Sequence, residues 1–296
     1  MPRILSFALI FVGLALFLAN ELRTLFATMD LAVGRNAVIS VNATRPDPAN
    51  EGKTVHLIGL LTTPKPAADA ALGVSGDYAS FHRIVEMNQW SLIPTRRSAS
   101  TDTQSANGFE LRWSRLEVDT RRDNAPPEQR NPSMALHTQQ FYAEGLKIGE
   151  FSIDREEISL LGTPIPVPIS EQLGGVIALA LPGHTPAREG DWTVLSPAPP
   201  SSPTGRAIWP LGAYRIRFEQ VPLAKVTIVA RQRGQNLTPF GSGVGPRAFL
   251  VRDGEHPIEA VFEEAETSNR VFTWGVRFVG IALVLFGLLA IVRRRK

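Results

Sequence analysis

Two uncharged apolar runs at opposite ends of this 296-residue chain constrain its architecture more than any other feature. The first occupies residues 4–19, from Ile4 to Ala19, behind Arg3. The second runs from Phe278 to Val292 and is closed by Arg293, Arg294, Arg295 and Lys296. Sixteen helical residues rise about 24 Å, slightly less than a ~30 Å hydrocarbon core, so the first run spans only if Pro2 and Asn20 lie near the two interfaces. A cleaved signal peptide is the alternative. Cleavage wants small residues at the last and third-last positions, and a cut after Ala19 would put Phe17 third from last, which favours an uncleaved anchor. Leu22, Leu25, Phe26 and Met29 continue at helical spacing until Gly34, either as an amphipathic collar at the membrane or as a core helix of the body. At the other end, proline at position 257 opens a helix in the favoured first position. No interior proline interrupts it before Val292. Ile258, Val261, Phe262, Ala265 and Phe272 form a stripe that is expected to pack on the body. The weak helix formers Thr267, Ser268 and Asn269 mark the one place where it would break.

The predicted fold class is therefore an α+β membrane protein: a β-rich extracytoplasmic body flanked by N- and C-terminal transmembrane helices. Its expected parts are an N-terminal transmembrane helix over 1–20, a membrane-proximal amphipathic helix over 21–35, a β-rich domain over 36–255, a long helix ending in the second span over 256–292, and a basic cytoplasmic tail over 293–296. Arg3 before the first span and four basic residues after the second place both termini in the cytoplasm and the body across the membrane.

The body reads as strands. Residues 37–43, 54–61, 84–93 and 109–119 are rich in β-branched and large apolar side chains. If the third and fourth pair around the polar stretch 94–108, Trp90 faces Leu111, and Glu86 faces Arg115 in an ordinary cross-strand ion pair. Residues 141–153 return to strand character. Asp154 then offers an N-cap to a short helix over 155–161, with Glu156 and Glu157 as solvated charge in its first turn. The proline-rich stretches 163–169 and 196–204 read as extended loops. Tyr214, Ile216 and Phe218 alternate with Arg215, Arg217 and Glu219, and Val226, Ile228 and Ala230 carry the pattern past Pro222-Leu223, which reads as a hairpin. Its polar face makes Arg215, Arg217, Arg231 and Arg233 the candidate partner-binding residues, against the plainer reading of a solvated sheet face. Residues 247–251 supply a last strand.

Chemistry is sparsely represented. The chain contains no cysteine, which removes disulfides, thiolate nucleophiles and thiolate metal sites. Its five histidines are scattered without metal-ligand spacing. Much of the small net charge of +3 sits in the terminal basic cluster, which argues against a nucleic-acid partner. No cofactor is expected.

Several segments match one family in order along the chain. They are Asn50-Glu51-Gly52-Lys53 with Val55-His56-Leu57-Ile58-Gly59, Val85-Glu86-Met87-Asn88-Gln89-Trp90, Asn131-Pro132-Ser133-Met134-Ala135, Val229-Ala230-Arg231-Gln232-Arg233-Gly234 with Leu237-Thr238-Pro239-Phe240, and Thr273-Trp274-Gly275. With them the chain resembles the LUMA (transmembrane protein 43) family. The resemblance implies a membrane protein with a large lumenal or extracytoplasmic body that acts as a scaffold. In eukaryotes such a protein sits in the endoplasmic reticulum and inner nuclear membrane, and no enzyme activity comes with it. Eukaryotic members continue into further spans. The shorter chain, the missing cysteine and the simple basic stop point to a bacterial member in the inner membrane with a periplasmic body.

The expected function is a non-enzymatic membrane-anchored scaffold. Its partners are the lipid bilayer, other membrane or periplasmic proteins, and in some states further copies of itself. The alternative is a membrane-bound hydrolase pairing Glu86 with His56 or His82, although no nucleophile elbow or zinc motif accompanies those residues. A channel is the weakest reading, since no charge lies deeper in the spans than Arg277, which can snorkel.

Overall fold

The computed structural model describes residues 3–93, 105–106, 108–169, 171–202, 207–242 and 248–292. The chain divides into two compact units: residues 1–62, 145–162 and 224–296 form the first, and residues 63–144 and 163–223 the second. The sequence reading of one β-rich body over 36–255 thus corresponds to parts of two units, and the chain changes unit four times.

Four α-helices are present among the described residues: α1 (Arg3–Ala37), α2 (Arg155–Ile158), α3 (Glu171–Ala178) and α4 (Ile258–Val292). Helix α1 is unbroken for 35 residues, so no separate collar helix follows the first apolar run. Gly34 does not end it. A Cβ there would lie 2.4 Å from the Phe240 ring, so glycine is needed for close packing rather than for a cap. The stripe Leu22, Leu25 and Met29 is exposed, while Ala27, Asp30 and Leu31 are buried. Helix α4 also runs 35 residues and passes through Thr267-Ser268-Asn269 without a break.

The first unit is built on a seven-stranded sheet whose central strands close into a ring. Strand Thr54–Thr62 pairs with Lys225–Arg233 on one side and with Lys147–Ile148 on the other, and Phe151–Ile153 and Asn236–Thr238 complete the circuit. Register explains why these strands are apolar on both faces. Val226, Ile228 and Ala230 stand opposite Gly59, Leu57 and Val55, and all but the glycine are buried apolar side chains on one face. On the other face Val229 joins Leu31, Phe240, Val261 and Phe262 in a core shared with both long helices. Alternation of facing along a strand makes this division automatic. Ile258 and Ala265 pack on the same core as expected. Phe272 does not. It is half exposed under the Arg23 guanidinium, 4.3 Å from its ring centre.

The second unit is an eight-stranded sheet centred on Tyr78–Leu92. That strand pairs with Tyr214–Pro222 and Gln139–Tyr142 along one part of its length and with Phe109–Ser114 further on. Phe81, Val85, Met87, Ile177, Leu195, Tyr214, Ile216 and Phe218 form its main core. Beside this core lies a buried ion pair, in which Arg83 donates to Asp69 and also to the His137 carbonyl and Gln139.

Three sequence expectations fail here. Residues 214–222 and 225–233 do not form a hairpin. The first strand pairs in the second unit with Tyr78–Leu92, and the second pairs in the first unit with Thr54–Thr62. A two-residue hairpin turn needs positive φ, usually Asn-Gly or Gly-X, and Leu223-Ala224 offers neither. The stretch 163–169 is no simple loop, because Ile165–Val167 adds to the sheet edge against Phe218–Gln220, where a proline does not interrupt a ladder on both sides. Glu157 is buried, whereas solvated charge was expected. Strand 37–43 shrinks to Ile39–Ser40 because α1 extends to Ala37, and the last strand is Leu250–Asp253.

Candidate membrane and partner interfaces

Helices α1 and α4 lie side by side and antiparallel. Asn20 donates to the Thr273 carbonyl at 3.2 Å, Thr24 and Thr273 hydroxyls meet at 2.9 Å, and Arg23 donates to the Asn269 side chain at 3.0 Å. The contact seam follows a seven-residue step in both helices. In α1 it runs through Ser6, Gly13, Asn20 and Ala27, and in α4 through Thr273, Gly280 and Gly287, while Gly34, one step further, faces Phe240 instead. A Cβ on Gly13 would fall 2.7 Å from the Gly280 carbonyl oxygen, and one on Gly287 would fall 2.8 Å from that of Ser6. Lipid tails are as apolar as leucine, so helices associate in a membrane through such close backbone approach. The sequence carried this signal as a seven-residue repeat of mostly small residues, which a window-averaged hydropathy does not register because it ignores spacing.

The apolar runs end together. Arg277, which the sequence left to snorkel alone, donates two hydrogen bonds to the two oxygens of Glu21 at 2.6 and 2.7 Å. Its guanidinium also sits 4.9 Å from the Trp274 ring centre. Ile4 and Ala19 on α1 and Phe278 and Val292 on α4 therefore bound one two-helix apolar layer, with the Glu21–Arg277 pair at its body-side edge. Arg293, Arg294 and Arg295 lie outside the described residues. Among the described residues two helices, Ile4–Ala37 and Ile258–Val292, are long and apolar enough to cross a membrane.

The four candidate partner-binding arginines do not form one surface. Arg215 and Arg217 belong to the second unit, and Arg231 and Arg233 to the first. Arg215 stacks between Trp113 and Trp192 at 4.8 and 4.5 Å and donates to Glu86, while Arg217 lies over Trp192 and pairs with Glu219. These two guanidiniums are thus engaged by their own sheet. Arg231 donates to the Gly241 carbonyl at 3.1 Å. With Arg233, Thr238, Pro239 and Gly241 it lines a groove of about 390 Å³.

Glu86 is held as a structural carboxylate. Arg115 reaches one oxygen at 3.1 Å and Arg215 Nε the other at 2.7 Å, and Trp90 stands opposite Leu111, as the sequence register implied. The suggested hydrolase partners are elsewhere. His56 lies in the first unit, bonded to Ser40 and the His256 carbonyl, and His82 stands opposite Glu219 with 4.0 Å between ring nitrogen and carboxylate. Burial depresses the His82 pKa below the usual histidine value, against the nearby Glu219, which raises it. His184 spends its Nε2 on the Gly212 carbonyl beside a mostly apolar cavity of about 440 Å³. Among the described residues no group of three His, Asp or Glu side chains is placed to hold a metal ion.

Comparison with known proteins agrees with this architecture. No solved structure matches the chain. Curated proteins named transmembrane protein 43 from Homo sapiens and Pongo abelii are each 29% identical over 94% of this chain and 72% of their own length, and the Rattus norvegicus protein of that name is 28% identical over the same shares. The family model for transmembrane protein 43 matches residues 87–294, including most of the second unit's sheet and all of α4. With that match covering more than half of its length, the chain belongs to the transmembrane protein 43 family, a family of membrane proteins.

Proposed function

We propose that this protein is a non-enzymatic scaffold that holds other membrane or extracytoplasmic proteins at a bilayer, with both termini in the cytoplasm and the β-rich units across the membrane. In a bacterial cell that places the units in the periplasm. The observation that carries the reading is the core shared by the strand Lys225–Arg233, Phe240 and the two anchor helices. A partner seated on the first unit is then fixed in orientation relative to the membrane, and confinement to the membrane raises its effective concentration toward neighbours. The arginine groove of the first unit is the favoured contact, because Arg233 is exposed and makes no ion pair among the described residues. Its chemistry suits an acidic segment of the partner. The locked state of Glu86 supports this reading over the hydrolase.

The test is quantitative co-purification of the full chain from its native membranes after cross-linking, with Glu86→Gln and Arg231→Glu/Arg233→Glu variants in parallel. The scaffold reading expects one partner at constant stoichiometry, retained by the Glu86 variant and lost by the arginine variant. Hydrolytic turnover that disappears with Glu86→Gln establishes the alternative.

A further inference from the structure

We propose that the cleft between α1 and α4, just above the apolar layer, binds the phosphate of an anionic phospholipid from the body-side leaflet. The cleft has a volume of about 240 Å³ and is lined by Thr24, Thr28, Asn269, Arg270 and Trp274, among others. Its height is set by the cross-helix bonds. The uncharged run of α1 ends at Asn20, which is bonded to Thr273. Arg270, in the cleft wall, lies three residues, or about 4.5 Å, above that level on α4. The interfacial layer on each side of a ~30 Å hydrocarbon core is about 5–8 Å thick, so Arg270 stands at the height of the headgroup region.

Charge at this level is unbalanced. Glu21 is taken by Arg277 through both oxygens. Glu266, at the upper rim, pairs with Arg35 at 3.0 Å. Arg270 is exposed and has neither an ion pair nor a hydrogen bond among the described residues. Arg23 does not line the cleft; it donates to the Asn269 side chain and lies over the Phe272 ring. The exposed Thr28 hydroxyl is a further donor at the cleft wall. Trp274 is half exposed and packs against Phe278 at 5.9 Å between ring centres, which places an amphipathic ring where membrane proteins use one as an anchor. Planar guanidiniums recognise phosphate by paired hydrogen bonds. A lipid rather than a soluble phosphate is the fitting source, because the site opens beside the apolar faces of both helices, where acyl chains lie.

The experiment is native mass spectrometry of the full chain released from nanodiscs of phosphatidylcholine with and without phosphatidylglycerol. Arg270→Gln, Arg270→Lys and, as a control outside the cleft wall, Arg23→Gln are compared. Wild type is expected to retain phosphatidylglycerol in preference to phosphatidylcholine, and excess inorganic phosphate is expected not to strip it. At about 1 kcal/mol per cationic side chain near the surface, Arg270→Gln weakens retention about fivefold, and Arg23→Gln weakens it less. Arg270→Lys keeps most of the preference. Equal retention of both lipids by wild type, or an unchanged preference in Arg270→Gln, overturns the proposal. Displacement by inorganic phosphate also overturns it, by showing a soluble-anion site instead.

Discussion

Replacing Gly13 with alanine adds one methyl group, and the structure decides the sign of its effect. In an exposed helix position alanine is favoured over glycine by about 1 kcal/mol. At Gly13 the new Cβ meets the Gly280 carbonyl oxygen at 2.7 Å, Val284 at 2.9 Å and Leu283 at 3.1 Å. The closest of these is backbone and cannot rotate away. Reaching an ordinary 3.4 Å contact requires α1 and α4 to separate by about 3.4 − 2.7 = 0.7 Å. A gap of that size forfeits a quarter to a half of the dispersion energy of each contact along the seam, and overpacking of this kind costs about 1–3 kcal/mol. The net expectation is a loss of up to about 2 kcal/mol. Gly275 is the control, since its added Cβ meets nothing within 4 Å, and Gly275→Ala is expected to be neutral or to stabilise by up to about 1 kcal/mol. Thermal unfolding of the full chain in a single detergent, followed by circular dichroism, compares the two. If Gly13→Ala is as stable as Gly275→Ala, the close-packed seam is wrong.

Glu86→Ala should destabilise the second unit by about 2 kcal/mol, because its pairs are partly exposed, whereas Asp69→Ala should cost about 3–5 kcal/mol by leaving Arg83 buried and unpaired. Denaturant titration ranks them, and the reverse order would contradict the burial argument. For His82, burial makes the folded pKa lower than the unfolded 6.5, so the folded state binds fewer protons in that window. Its stability contribution is complete above pH 6.5 and is lost as pH falls from there through the folded pKa, with Glu219 opposing and Arg115 and Arg217 reinforcing the depression. His82→Gln should flatten the stability profile below pH 6.5, and an unchanged profile would assign the acid sensitivity elsewhere. Ser268→Pro, at an exposed position inside α4, should cost about 3 kcal/mol or more; an unaltered melting temperature would mean that α4 is jointed there.

Much of the frame was legible in the sequence because single-chain patterns encode it. The two apolar runs needed only length and charge, and the pairing of Trp90 with Leu111 and Glu86 with Arg115 followed from strand periodicity across one connection. The failures share a cause, which is that period two specifies a face but not a partner. Residues 214–222 and 225–233 looked complementary to each other, yet each is apolar because of a distant strand. The four arginines were grouped on that false hairpin, so their division between two units could not be seen. The Glu21–Arg277 pair and the glycine contacts of the seam lie between segments more than 250 residues apart. Nothing local ties such positions together, although the seven-residue recurrence of mostly small residues from Ser6 to Ala27 was a usable sign.

Antiparallel pairing of α1 with α4 underlies the anchor, the shared core and the lipid cleft, and the absence of native cysteine allows it to be tested directly. Thr24→Cys with Thr273→Cys places two thiols where hydroxyls now meet at 2.9 Å. A disulfide needs Cβ atoms roughly 3.5–4.5 Å apart. Oxidation in intact membranes should give an intramolecular link, read as a reducible mobility shift of the monomer. Thr24→Cys with Gly287→Cys displaces the second thiol by 14 residues, about 21 Å along the helix, and should remain unlinked. Linkage of the displaced pair, or links formed only between chains by the matched pair, would contradict the account.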